Sequence, residues 1–299
     1  MRVLIIGGNR FLGVELTAQL LARGDDVALL NRGTLIDPFG ARVRRFTADR
    51  GTDAFDKILS REDGFDAVVD FALFDGEHAR RTTRVLAGKV KHYVAISTGQ
   101  VYLVRTPRPA SFVKESDYDG AVMSAPPSEA ERDDWKYGIE KRDAEDGLRA
   151  SDLPFTVFRI PMVHGPRDHK QRLERVFWKL VDRKPIVLRD ASASVRHVFS
   201  GAITRTLTNV ITRPPTRRAW NLAWDEKLTA AQFIERAAAQ LGVTPNIEID
   251  PSANTDACFL NSRWMSALDP SDARNHLGFA HEAMDRWLPG IFSSWLARL

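Results

Sequence analysis

The run Val3-Leu-Ile-Ile6, followed by Gly7-Gly8-Asn9-Arg10-Phe11-Leu12-Gly13, decides the fold. Four apolar residues without polar alternation read as a strand covered on both faces. Glycines at 7 and 13 supply a tight turn and a close helix–strand approach. Beyond them Leu12, Leu16, Leu20 and Leu21 recur at helical spacing. A strand, a glycine turn and a helix N-terminus in succession offer free backbone N–H groups and a positive dipole end to a pyrophosphate. The expectation is a dinucleotide-binding unit, with Gly7, Asn9, Arg10, Phe11, Leu12 and Gly13 around the phosphates.

The same rhythm continues along the chain. Apolar runs at Val27–Leu30, Arg44–Thr47, Ala67–Phe71, Tyr93–Ser97 and Phe155–Arg159 alternate with helix patterns at Phe11–Arg23, Glu77–Ala87 and Trp135–Arg149. Such alternation predicts βαβ units and a parallel sheet. After Arg159 the pattern changes. Gly165–His169 reads as a loop, Arg213–Arg218 as a turn, and Trp220–Ala223 as a further strand. Helices are expected at Gln171–Asp182, Thr229–Leu241, Ser262–Leu268 and Glu282–Leu296. The predicted architecture is α/β: a doubly wound parallel Rossmann sheet with a small, mainly helical C-terminal substrate domain. Residues 1–165 form the dinucleotide-binding domain, and about 196–224 complete its sheet. Residues 166–195 and 225–299 form the substrate domain. Thr106–Pro127, rich in Pro, Ser and Asp, is a candidate substrate-side loop.

Composition excludes several classes. The 299 residues are 43% hydrophobic and 27% charged, which is ordinary globular usage. No apolar run is long enough for a membrane span, and no signal-peptide pattern opens the chain, so a cytoplasmic protein is expected. The single cysteine, Cys258, excludes an internal disulfide framework. His164 and His169 flank Asp168 without helical spacing or a third ligand cluster, so no metal is expected. The net charge of +4 is spread among alternating acids and bases, which argues against a dedicated nucleic-acid face.

Tyr137 and Lys141 stand four residues apart in a helix pattern, on one face. An ammonium beside a phenol stabilises the phenolate, and an oxidised nicotinamide adds positive charge, which together suit acid/base work. Upstream, Ser97 and Thr98 lie at a strand's C-terminal end, where ligands bind an open α/β sheet. Thr98 or Ser97 can polarise a carbonyl beside Tyr137. After the second strand, Asn31 and Arg32 stand where an NAD-selective site usually puts an acid. With Arg10 they would attract a 2′-phosphate, so NADP is favoured over NAD. Asp49 and Arg50 follow the third strand, where an acid can accept a hydrogen bond from an adenine amino group.

The glycine turn 7–13, Ser97-Thr98 with Val101-Tyr102, Tyr137 with Lys141, and Phe158-Arg-Ile-Pro-Met-Val-His-Gly-Pro166 together resemble an extended or atypical short-chain dehydrogenase/reductase of the NAD(P)-dependent epimerase/dehydratase family. The resemblance covers nearly the whole length. The glycine turn with Asn31-Arg32-Gly33 is similar to a subgroup containing the chloroplast stem-loop-binding proteins. The resemblance implies Thr98, Tyr137 and Lys141 as catalytic residues. It adds Phe71, Ala72, Ser97, Pro161 and Val163 on the cofactor side, and Phe74, Gln100, Met162, His164 and Arg196 on the substrate side. Departures narrow the chemistry. Gly99 and Gln100 replace the acidic pair of the 4,6-dehydratases, and Met162 replaces an Asn that contacts a substrate diphosphate.

These readings point to an NADP(H)-dependent oxidoreductase acting on a secondary alcohol or ketone of a sugar, nucleotide sugar or related small molecule, with net reduction favoured. An epimerase with a retained cofactor, and an RNA-binding or cofactor-sensing protein on the same fold, are the alternatives. A homodimer through helices such as Glu77–Ala87 and Trp135–Arg149 is expected from the resemblance.

Overall fold

β1 (Arg2–Ile6) delivers the chain into the glycine turn and α1 (Phe11–Arg23). Gly24, at φ +87°, ends α1 and returns its N–H to the Leu20 and Leu21 carbonyls, a left-handed stop that glycine adopts without steric cost. β2 (Asp26–Asn31), β3 (Arg44–Thr47), α2 (Asp53–Arg61), β4 (Phe65–Asp70) and α3 (Gly76–Leu86) come next. β5 (Val90–Thr98), a short α4 (Gln100–Leu103), the long α5 (Glu129–Arg149) and β6 (Phe155–Ile160) complete the first half. The second half comprises β7 (Met162–His164), α6 (Arg172–Val181), β8 (Ile186–Leu188), β9 (His197–Phe199), α7 (Ser200–Val210), β10 (Ala219–Asn221), α8 (Ala230–Ala239), β11 (Ile247–Ile249), α9 (Ser271–Leu277) and α10 (Met284–Leu296). This is a computed structural model, and it describes residues 1–109, 112–195, 197–226, 228–253 and 267–299. The predicted helix over 262–268 falls largely outside them, as do Cys258 and Arg196.

Seven strands form one parallel sheet in the order β10-β6-β5-β4-β1-β2-β3. The order reverses between β1 and β4, and it is there that ligands reach the carboxyl ends of the strands in such sheets. The Rossmann-type α/β architecture read from the sequence is therefore the one observed. One sheet face packs Val3, Ile5, Leu16 and Leu20 with Ile203 and Leu207 of α7. The other packs Leu4, Ile6, Phe55, Leu59 and Tyr93 with Ala144 and Leu148 of α5. A separate apolar cluster gathers Leu173, Phe177, Ile186, Phe233, Trp287 and Trp295 in the C-terminal part. Ala273, Leu277 and Phe279 lie on the sheet cluster instead, although they fall within the 225–299 segment.

α2 and α7 were not anticipated. In α2 only Phe55 and Leu59 are buried, one helical pair in a polar segment. α7 is spaced by Thr and Gly, and its Thr204 and Thr206 return their hydroxyls to carbonyls of their own helix.

The long loop after α4 is pinned to the body. The Asn221 N–H donates to Glu115 at 2.7 Å, and the Tyr118 hydroxyl donates to Asp146 at 2.8 Å. Val113 exchanges hydrogen bonds with Ala267 and Asp269.

Candidate active site

Gly7 takes φ +83°, and a Cβ on it would sit 3.2 Å from the Ala72 side chain. At Gly13 a Cβ would lie 2.6 Å from the Gly8 Cα, so only glycine lets α1 approach the turn this closely. Arg10 caps α1 without a side-chain hydrogen bond, and no acid stands in the first turn. The donor set is uncapped backbone N–H groups with an exposed guanidinium alongside, and it fits a pyrophosphate. Leu12 is buried, whereas the half-buried Phe11 ring packs toward Gly165. Asn9 donates to the Leu35 carbonyl at 2.9 Å and ties the turn to the segment after β2.

At the end of β2 the Asn31 side-chain carbonyl oxygen accepts from the Gly33 N–H at 2.8 Å. Its amide NH2 group remains, beside exposed Arg32. Asp49 is exposed and accepts from the Gly51 N–H at 2.9 Å. Arg50 turns inward. It forms a buried bidentate ion pair with Asp70 and reaches the Thr82 hydroxyl at 3.3 Å. Its guanidinium is thus spent on the interior, and a side-chain contact with a cofactor from Arg50 does not arise.

Asp70 closes β4 and organises the turn after it. It accepts from the Tyr93 hydroxyl at 2.5 Å and from the Ala72 N–H at 2.8 Å. Phe71 and Ala72 form the wall beside Gly7, and the next residue, Leu73, offers its carbonyl to the site.

Lys141 on α5 donates to the Leu73 carbonyl at 2.6 Å and to the Ile96 carbonyl at 3.1 Å. Its ammonium lies 5.2 Å from the Phe74 ring and 5.9 Å from the Tyr137 ring. Burial lowers its pKa to about 8, with Asp70 opposing and Arg50 assisting. Tyr137 is 37% exposed. Burial raises the Tyr137 pKa, and the Thr98 hydroxyl pulls it back down.

Glycine turn, β4 end, Lys141, Tyr137 and Thr98 thus form one contiguous edge. Ser97 does not join it. Its hydroxyl donates to Glu145 at 2.5 Å, on α5 one turn beyond Lys141, where Glu145 is locked by Arg159.

The substrate-side residues divide. Phe74 is exposed beside Lys141. Gln100 donates to Asp134 at 3.0 Å, one helical turn before Tyr137. Pro161 follows Ile160, the register partner of Thr98. Met162 is half-buried and pairs with His197 across the β7–β9 ladder. Val163 is only 8% exposed and belongs to the sheet core. His164 lies fully inside an aromatic cluster, its ring 4.9 Å from His197 and 5.6 Å from Phe233. Burial lowers its pKa to about 3. The expectation of a substrate contact from His164 therefore gives way to a packed imidazole. Among the described residues no group of three or more His, Cys, Asp or Glu could hold a metal ion. No described helix is long and apolar enough to cross a membrane.

Sequence reasoning missed Asp70, Asp134 and His197. Asp70 left a trace, being an acid at the end of the buried run Ala67–Phe71. Asp134 and His197 left none, because each acquires its neighbours from distant segments.

Residues 3–223 match the model of the NAD dependent epimerase/dehydratase family. The chloroplast stem-loop binding protein of 41 kDa b from Arabidopsis thaliana is 24% identical over 266 residues, which is 83% of this chain. The match spans 65% of that protein, so the chain covers less than two thirds of its length. UDP-glucose 4-epimerase from Thermotoga maritima, solved with UDP-glucose, superposes with a TM-score of 0.77 at 16% identity, covering 100% of this chain and 99% of that one. The dTDP-glucose 4,6-dehydratase from Streptomyces venezuelae, solved with NAD, gives 0.76 at 18% identity, covering 99% and 97%. At such identities the likeness shows the fold. The family match runs from β1 past β10, across the glycine turn, Thr98, Tyr137 and Lys141, and the chain belongs to the NAD dependent epimerase/dehydratase family.

Proposed function

We propose that this protein moves a hydride between a nicotinamide dinucleotide and a secondary alcohol or ketone of a small molecule, with NADP favoured over NAD and net reduction as the favoured direction. The observation that carries the reading is Tyr137 and Lys141 together on α5, the ammonium 5.9 Å from the Tyr137 ring and anchored to the Leu73 and Ile96 carbonyls at the ends of β4 and β5. The uncapped start of α1 binds the pyrophosphate, and Asp49 lies toward the adenine. Asn31, offering an amide NH2 group instead of a carboxylate, supports the NADP preference together with exposed Arg32 and Arg10. When bound, the dinucleotide supplies or accepts the hydride.

The chain's own residues handle the proton. Thr98 and Tyr137 hydrogen-bond the substrate oxygen, and Tyr137 donates its proton to that oxygen during reduction. Lys141 keeps a positive charge behind the phenol, and its two carbonyl anchors fix its position. Gly99 and Gln100 carry no ionisable group, so the proton at the reacting carbon's oxygen falls to Tyr137. Residues 1–165, with about 196–224, hold the cofactor in this reading, and 166–195 with 225–299 cover the substrate.

An epimerase of the same chemistry, like the one from Thermotoga maritima, would keep its cofactor bound through the cycle. A nucleic-acid role has one support, the name of the plant relative. Mass spectrometry of nucleotides released on denaturing the purified protein separates these. An empty protein whose melting temperature rises with NADP more than with NAD supports the exchanging reductase. Stoichiometric NAD or NADP in the released fraction supports the epimerase. A protein that carries neither and responds to neither overturns the hydride reading. In the loaded protein, Tyr137→Phe should lower turnover about 10²–10⁴-fold.

A further inference from the structure

Arg10, Arg167 and His169 line one open groove of about 440 Å³, together with Ile36, Asp37 and Pro38. Arg10 belongs to the glycine turn, and Arg167 and His169 to the loop between β7 and α6. All three basic residues are exposed. No hydrogen bond or ion pair engages their side chains among the described residues. Burial lowers the His169 pKa and Asp168 opposes it; of the cations that lower it further, Arg10 acts more strongly than the chain neighbours Arg172 and Lys170. The imidazole and the Arg10 guanidinium therefore stand within electrostatic reach of each other, although they come from opposite halves of the chain.

The acids beside them are already engaged. Asp37 accepts from two Arg45 nitrogens at 2.8 and 2.6 Å. Asp168 is buried and accepts from the Arg172 guanidinium at 3.0 Å and from the Lys170 N–H at 3.0 Å, which pins the loop that carries Arg167 and His169. Basic groups gathered without a counter-ion repel one another, and an anion bound among them removes that cost. Ile36, 99% exposed, and Pro38 set an apolar strip beside the charges. That strip suits a phosphate carried on a nucleoside better than a free phosphate. Position selects which phosphate. One wall of the groove is 36–38, the segment after β2, whereas Gly7 and Ala72 frame the pyrophosphate cradle. The Asn9 amide, on the same groove, holds the glycine turn to this segment through the Leu35 carbonyl. The groove thus lies on the ribose side of the cradle, along the segment that Asn31 and Arg32 begin.

We infer that Arg167 and His169 recognise the 2′-phosphate of NADP, and that with Arg10 they form a phosphate pocket whose second wall is the loop after β7. A guanidinium fork matches phosphate oxygens, and an imidazole adds one more donor. The inference rests on the hydride-transfer reading with NADP. It goes beyond that reading by giving cofactor choice to a loop of the 166–195 segment, which the sequence assigned to the substrate.

Calorimetric titration of the full chain with NADP and with NAD tests this without a substrate, since the two differ only in the 2′-phosphate. The unaltered chain should bind NADP about tenfold more tightly or better. The double variant Arg167→Ala, His169→Ala should weaken NADP by about tenfold or more and keep NAD within about twofold, which erases the preference and shows the fold intact. Arg167→Lys alone keeps a cation and should preserve most of the preference. Adenosine 2′,5′-bisphosphate should lose affinity in the double variant as NADP does, whereas 5′-AMP should not. Unaltered NADP affinity in the double variant would overturn the proposal. So would an equal loss for NADP and NAD, which would put the loop on the pyrophosphate, and so would a preference of the unaltered chain for NAD. In each of these three results a dinucleotide still binds and the hydride reading stands. Failure of both dinucleotides to bind is a different result: it removes the hydride reading, and this proposal with it.

Discussion

Asp70 shows how one residue joins fold to site. Its carboxylate is fully buried, and it neutralises Arg50, accepts from Tyr93 and caps the turn that presents the Leu73 carbonyl to Lys141. Breaking a buried pair is costly because the surviving charge stays desolvated. Asp70→Asn keeps the shape and removes the charge, leaving Arg50 uncompensated. It should cost about 3–5 kcal/mol of stability, read from urea unfolding. A loss below about 1 kcal/mol would mean that water reaches Arg50. The Arg50 assignment failed from sequence for this same reason. A residue after a β3 strand can face a cofactor or turn beneath the sheet, and only Asp70, 20 positions away, decides which. Ser97 makes the same point, since only Glu145, 48 positions away, turns its hydroxyl into the interior.

At the scale of elements, α1 was legible to the residue: Phe11–Arg23 as expected from leucine spacing and the flanking glycines. Its start depends on Gly13. An alanine there gains about 1 kcal/mol of helix propensity, yet its Cβ would meet the Gly8 backbone at 2.6 Å. Backbone cannot swing aside as a side chain can, so overpacking costing about 1–3 kcal/mol outweighs the propensity. Gly13→Ala should therefore lower the melting temperature and weaken dinucleotide binding at least tenfold, measured by thermal unfolding and calorimetric titration. Unchanged binding would show that the pyrophosphate does not use this turn. The short strands β7, β8, β9 and β11 were not legible. Each has three residues, too few for a periodic signal, and each exists only because a partner strand lies beside it.

At the scale of the molecule, acid sensitivity arises from the aromatic cluster of the C-terminal part. His164 and His197 are each 1% exposed, and burial holds the His164 pKa at about 3 and that of His197 well below the usual value. In the unfolded chain both return to about 6.5. The unfolded state therefore binds more protons below pH 6.5, and stability present above that pH is lost as the pH falls toward the folded values. The loss at pH 5 should be about 2 kcal/mol for His164, with His197 adding in the same direction. Thermal unfolding between pH 7.5 and 5 should show it, and His164→Phe should flatten the slope. A wild-type melting temperature independent of pH across that range would contradict the burial of these rings.

The sequence by itself determined the α/β class, the parallel sheet, the glycine turn, and the Tyr137–Lys141 pair on one helix face. These depend on periodicity and on spacings of a few residues, which the chain carries locally. The tertiary structure alone decided that Arg50 serves Asp70, that Ser97 serves Glu145, and that Lys141 is anchored on the Leu73 and Ile96 carbonyls. It also decided that His164 is packed and that His197 has no partner among the described residues. The physical reason is common to all of them. Charge, burial and hydrogen bonding at a buried group are set by neighbours far away in sequence, and folding is what brings those neighbours within reach.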